Sequence, residues 1–268
     1  MRGRLLALGA ALLAAACALP AAIAPDPGPV ARPPAQPALL GEVPAGHTAY
    51  DNDSLADLFV RLTHHTEWGG QRPHLVRMEE PVRVGIEGPG SEGYEPFLGQ
   101  YLGWLARETG IDVGPGGPGR GLHLRLVPGD QFARLLPGAS CVLVPGDRAW
   151  ADFRRAPARH GGAAMLTMHR LPHATVFLPD EAPPAHVRRC LLEEIPQALG
   201  PVNDLSGLGQ SIFNDDFGHL WPTRLDLLML RVLYAPEMET GLGRPETRLR
   251  ARALLDRINP AGRSAPPL

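Results

Sequence analysis

Two adjacent carboxylates and an amide are the side chains best suited to catalysis or metal binding: Glu193, Glu194 and Gln197. They follow Pro183-Pro184 and precede Gly200, and proline is favoured in the first turn of a helix. Apolar residues recur at helical spacing in this segment and predict one buried stripe: Val187, Leu191, Leu192, Ile195 and Leu199. Because residues three and four apart are neighbours on a helix, four side chains are expected on another face: Cys190, Glu193, Glu194 and Gln197.

Two interpretations of this polar face stay open. Adjacent carboxylates on a helix are often solvated, or paired with arginines such as Arg188, Arg189 or Arg231. Alternatively, the face lines a cleft, where a carboxylate acts as a general base or helps to hold a cation. Pro196 lies inside the predicted helix and removes one hydrogen bond, so a kink is expected beside Glu194.

The spacing resembles the active-site helix of metzincin-type zinc metalloproteases, HExxHxxGxxH, in which histidines bind zinc and the glutamate activates water. In this comparison Glu194 stands at the catalytic glutamate and Gly200 at the glycine. The three histidine positions are occupied by Glu193, Gln197 and Asn203. Downstream, Ser211-Ile212-Phe213 resembles the methionine turn below the site, and the run from Leu220 to Asp226 resembles the helix start that follows it.

A longer stretch, residues 81–234, resembles a bacterial exported domain family of unknown function. The resemblance rests on Cys-Leu-x-Glu-Glu-x-x-Gln-x-Leu-Gly at 190–200, then Asn203-Asp204, then Ser-Ile-Phe-Asn-Asp at 211–215. It implies an exported, zincin-like fold and no established activity.

The missing histidines change the expected chemistry of the site. A primary amide is a poor zinc ligand, so zinc is not expected. The remaining oxygen atoms suit calcium better, and a weakly bound divalent cation would need a further carboxylate: Glu194, Asp204, Asp215 or Asp216. We therefore favour a non-catalytic module that binds a peptide or an envelope component. The alternatives are a metal-dependent hydrolase with Glu194 as general base, and a structural envelope lipoprotein.

The N-terminus predicts export. Arg2 and Arg4 precede an apolar run from Leu5 to Ala16, which is shorter than the roughly 20 residues that a membrane-spanning helix needs. Residues 1–24 are therefore expected to be a signal peptide. Leu13-Ala14-Ala15-Ala16-Cys17 resembles a lipobox and favours lipidation of Cys17, whereas ordinary cleavage near Ala18 or Ala24 is the alternative. The expected location is the periplasm or the membrane-anchored cell envelope, with the lipid as the only membrane attachment.

The domain boundaries follow from composition. Residues 25–50 are rich in Pro and Ala and predict a tether, residues 51–258 a single folded domain, and residues 259–268 a flexible tail. Cys141 and Cys190 remain as an even pair in an oxidising compartment, which favours a disulfide over two buried thiols.

Composition limits the partners. The 268 residues carry 26 Lys+Arg and 28 Asp+Glu, a net charge of −2, so there is no basic surface for nucleic acid. Nothing in the sequence defines an oligomeric state.

Alternating and helical patterns predict an α/β (α+β) fold, a single zincin-like domain with a mixed sheet, an active-site-type helix and a helical C-terminal part. Helices are predicted at 51–64, 96–109, 184–199, 222–233 and 245–258, and strands at 81–88, 122–126 and 140–144. Residues 163–178 are expected to form one or two strands, interrupted near Leu171-Pro172.

Overall fold

The computed structural model describes residues 50–67, 69–117, 121–160, 162–208, 211–214 and 221–263. The predicted signal peptide with Cys17, nearly all of the tether, and Asp215 and Asp216 lie outside the described residues. Of the predicted tail, Pro260–Arg263 form a 3-10 helix, and the Asn259 side-chain amide donates a hydrogen bond to Asn52 Oδ1 at 2.9 Å.

The described chain is a single domain of mixed α/β architecture, as predicted. Its helices are α1 (Asn52–His64), α2 (Glu95–Thr109), α3 (Gly129–Leu135), α4 (Trp150–Arg155), α5 (Pro157–His160), α6 (Gly162–Thr167), α7 (Pro184–Ala198), α8 (Arg224–Leu233) and α9 (Arg244–Ile258). Its strands are β1 (Val82–Glu87), β2 (Val113–Pro115), β3 (Gly121–Val127), β4 (Val142–Pro145) and β5 (His173–Pro179).

Local sequence explains several of these boundaries. The Asp51 carboxylate accepts a hydrogen bond from the backbone N–H of Ser54 at 2.6 Å and caps the start of α1. Gly110 ends α2 with a φ of 80°, a left-handed conformation that glycine adopts without steric cost.

The sheet has the strand order β2-β1-β3-β5-β4. The first four strands run parallel, and β4 pairs antiparallel with β5 at one edge. The inner strand β5 is buried from Ala174 to Leu178, as expected for a strand covered on both faces.

One predicted strand was wrong in its first half. One or two strands were expected in 163–178, with an interruption near Leu171-Pro172, but Gly162–Thr167 form helix α6, and only His173–Pro179 form a strand. The run Ala163-Ala164-Met165-Leu166 is apolar without strand-like alternation, and such a short run does not distinguish helix from strand.

Buried apolar residues of the helices and the sheet form three clusters. Helices α2 and α7 pack on one face, where Leu102 and Leu191 are fully buried with strand residues such as Leu124 and Val176. A second buried cluster joins α1, α8 and α9, and a smaller one around Phe153 and Phe177 covers β4 and β5 on another side. Within the described part of the chain, no helix is long and apolar enough to cross a membrane.

Candidate functional site

Helix α7 is fixed to its surroundings by covalent and hydrogen bonds. A disulfide joins Cys190 in its middle to Cys141, which directly precedes β4, so the predicted pairing is confirmed. The buried Tyr101 hydroxyl of α2 donates to the backbone carbonyl of Leu192 at 3.1 Å. These bonds hold the helix between the sheet edge and α2. Pro196 lies inside α7, which continues to Ala198.

The polar face of α7 is largely buried. Glu194 is 7% exposed and Gln197 is 5% exposed, whereas Glu193 is half-buried. The interpretation as a solvated helix face therefore does not apply to Glu194 and Gln197. A polar side chain in such surroundings needs a hydrogen-bond partner, because desolvation without one is unfavourable.

Gln197 has such a partner, and so does Asn203. The Gln197 amide donates to Asp204 Oδ1 at 2.6 Å, which connects the end of α7 to the chain just beyond Gly200. The Asn203 amide donates to the backbone carbonyl of Arg61 in the last turn of α1 at 3.0 Å. The structure thus brings Gln197 and Asp204 into direct contact and attaches Asn203 to α1.

Glu194 differs from both. Its Oε2 atom is buried and has no hydrogen-bond partner among the described residues. Burial raises its pKa well above the usual range, and the nearby carboxylates of Glu67, Glu193 and Asp204 raise it further. A neutral carboxylic acid can both donate and accept a hydrogen bond.

Asp226 of α8 is hydrogen-bonded to the turn formed by Ser211, Ile212 and Phe213. The Asp226 carboxylate accepts hydrogen bonds from the Ser211 hydroxyl and the Ile212 N–H, the second at 3.2 Å. It also accepts from the Thr223 N–H at 2.6 Å, which completes the capping box of α8. Burial raises the pKa of Asp226 to about 6, against the effect of these hydrogen bonds.

The turn lies against the segment that carries Asn203 and Asp204. The N–H of Leu205 donates to the carbonyl of Phe213 at 3.1 Å, and the Phe213 ring is fully buried in the cluster of α1, α8 and α9. Residues 211–213 therefore lie next to the segment that follows α7.

Sequence analysis missed two residues that fix the end of α7. The fully buried Arg72 donates from Nη2 to the carbonyls of Thr63 and Gly200, the second at 2.8 Å, and burial lowers its pKa to about 10. The Tyr234 hydroxyl lies 3.0 Å from the carbonyl oxygen of Leu199. Arg72 lies just after Trp68-Gly69-Gly70, outside every predicted helix and strand, whereas Tyr234 lies at the end of the stretch 81–234 that carries the family resemblance.

In the part of the chain that the structure describes, no three His, Cys, Asp or Glu side chains are grouped closely enough to hold a metal ion. His219, which follows the turn, lies outside that part.

Comparison with known proteins identifies one family. The model of a family described as "Protein of unknown function (DUF2927)" matches residues 52–253, which comprise almost the whole folded domain. Neither a curated protein nor a solved structure gives a significant match to this chain.

Proposed function

The chain belongs to the DUF2927 family of unknown function, and we propose that it is an exported, lipid-anchored protein with a degenerate metzincin-like domain. In this proposal the domain binds a peptide or another component of the cell envelope and does not cleave it. In this proposal the ligand binds at the polar face of α7, beside Glu194.

One observation carries the proposal: the amides at two of the three histidine positions are engaged within the protein. The Gln197 amide nitrogen donates to Asp204, and the Asn203 amide nitrogen donates to the Arg61 carbonyl. An amide nitrogen that donates a hydrogen bond has no lone pair for a metal, and an amide oxygen is a poor zinc ligand. Both contacts favour a hydrogen-bonded site over a zinc centre.

The arrangement around α7 supports the metzincin resemblance. Gly200 follows the helix with a φ of 148°, and a Cβ there would lie 2.8 Å from a Leu233 methyl group. Asp226 connects the turn at 211–213 to the start of α8. The close approach at Gly200 explains why a glycine occupies this position.

The state of Glu194 supports binding rather than hydrolysis. A general base must be ionised to accept a proton from water, and burial favours the neutral form of this acid. A neutral Glu194 matches a peptide group, because it can donate to a carbonyl and accept from an N–H. The unpartnered Oε2 would gain a partner from such a ligand.

Export and anchoring rest on the sequence of residues 1–24 together with the disulfide. Structural disulfides persist in oxidising compartments, so the Cys141–Cys190 bond agrees with an extracytoplasmic location. In this proposal Cys17 carries the lipid, and the Pro/Ala-rich tether separates the domain from the membrane.

Two substitutions of Glu194 test the binding role. Glu194→Gln retains a neutral donor and acceptor, whereas Glu194→Leu removes both at similar volume. We expect chemical crosslinking in intact envelopes to capture the same partner with wild type and Glu194→Gln, and to lose it with Glu194→Leu. Equal capture by all three proteins, or capture of no partner at all, would favour the structural lipoprotein.

A parallel assay distinguishes binding from hydrolysis. Metal content and cleavage of peptide and glycan substrates are measured for purified wild type and Glu194→Gln. We expect neither protein to cleave the substrates. Stoichiometric metal together with hydrolysis that Glu194→Gln abolishes would instead establish a hydrolase, with Glu193, Asn203 or Asp204 as candidate metal ligands.

A further inference from the structure

Two histidine rings from distant parts of the chain meet outside helix α7. His74 precedes the buried pair Leu75-Val76, and His169 lies in the connection between α6 and β5. Their ring centroids are 5.5 Å apart, and the ring planes are inclined by 40°. His74 is half-buried and His169 is exposed, so the pair is open to solvent on one side.

The backbone fixes both histidines near each other. His74 forms a β-bridge with Gly243, at the start of α9. On the other side, Met78 forms a parallel β-bridge with Leu171, and the Glu79 carboxylate accepts a hydrogen bond from Arg170 at 2.6 Å. The segments that carry the two rings are thus joined close to the rings themselves.

The separation of the rings fits a shared metal ion. A metal bound about 2.0–2.1 Å from one nitrogen of each imidazole holds the two ring centroids about 4.5–6 Å apart, depending on the angle at the metal. The 5.5 Å between His74 and His169 lies within this range. In addition, the Nδ1 atom of His74 is buried and has no hydrogen-bond partner among the described residues.

We propose that His74 and His169 form a binding site for a divalent transition-metal ion. Imidazole nitrogens suit copper, nickel and zinc, and Cu²⁺ binds most tightly of these to a given set of nitrogen ligands. With two protein ligands, water completes the coordination sphere, so the ion is exchangeable. The site is separate from the polar face of α7 and does not depend on the function proposed for Glu194.

Titration of the purified full-length protein with Cu²⁺, in a buffer that does not bind copper, tests the site. His169→Ala is the decisive variant, because His169 is exposed and its loss leaves the core intact. We expect this variant to bind Cu²⁺ at least tenfold more weakly than wild type. Loss of a residue that only hydrogen-bonds to a metal ligand typically weakens metal binding about 10- to 100-fold, so loss of a ligand itself should have at least this effect. His74→Ala should weaken binding equally.

His186→Ala is the matched control, because the half-exposed His186 lies 3.4 Å from the Ser140 carbonyl, and no ring contact joins it to another described histidine. It should bind Cu²⁺ as wild type does. Electron paramagnetic resonance supplies a second readout, with hyperfine coupling to two imidazole nitrogens in wild type and to one in His169→Ala. Unchanged affinity in His169→Ala, or equal weakening in His186→Ala, would overturn the proposal.

Discussion

At the scale of single residues, Glu194 is the most informative side chain, because its protonation is coupled to folding. Its pKa in the folded protein is raised, chiefly by burial, above the value of about 4.3 that an exposed glutamate has. The folded state therefore binds this proton more tightly than the unfolded state does. The resulting stabilisation is present below the unfolded pKa and is lost as the pH rises through the folded pKa.

Glu194→Gln removes this titration. Between about pH 5 and about pH 8, wild type should lose stability, and the free energy of unfolding of the variant should therefore increase relative to wild type. The increase should be about 1.4 kcal/mol for each pH unit of this interval that lies between the unfolded and the folded pKa of Glu194. Urea denaturation at several pH values measures it. The control is Glu237→Gln. The pKa of Glu237 is lowered by hydrogen bonds to its own backbone N–H and to Arg257, so its difference from wild type should stay constant over this interval.

Asp226 gives a prediction about stability. Asp226→Ala leaves the buried Ser211 hydroxyl and the N–H groups of Ile212 and Thr223 without their acceptor. We expect the free energy of unfolding to fall by about 2–4 kcal/mol. Asp130→Ala, at an exposed carboxylate paired with Arg134, should change it by less than about 0.5 kcal/mol. Similar losses in both variants would show that Asp226 does not hold the turn.

At the scale of elements, the disulfide connects the start of β4 to the middle of α7 across a separation of 49 residues. Replacing both cysteines by serine frees this loop in the unfolded chain, and we expect the free energy of unfolding to fall by about 2–4 kcal/mol. Chemical denaturation without reductant measures the difference, and wild type in reductant should approach the double variant. A double variant as stable as wild type would contradict the pairing.

The elements also show what sequence patterns specify. The alternation of Leu122, Leu124 and Leu126 indicates a strand, and β3 covers this segment; the helices predicted at 51–64 and 96–109 correspond to α1 and α2 within one residue at each end. Helix α6 was missed because its short apolar run has no distinct period. The contact of Gln197 with Asp204 was not predicted either, because a bond across Gly200 depends on how the chain turns there.

At the scale of the whole molecule, the proposal predicts that Cys17 determines where the protein resides. In a bacterial host fed with labelled palmitate, wild type should carry the label and sediment with membranes, because lipidation adds a membrane anchor. Cys17→Ala should lose the label and become soluble. The variant with serine at positions 141 and 190 should keep the label, and an unlabelled wild type would refute lipid anchoring.

In the function proposed above, this domain retains a metzincin-like scaffold without its zinc ligands. The triple substitution Glu193→His, Gln197→His and Asn203→His restores the ligand pattern. Both the triple variant and its parent also carry His169→Ala, which removes any contribution from the proposed His74–His169 site. The direct measurement is the zinc content of each folded protein after dialysis against zinc and then against metal-free buffer. We predict about one zinc per chain in the triple variant and far less in its parent. A parent that already holds one zinc, or a folded triple variant that holds no more than its parent, would contradict the claim.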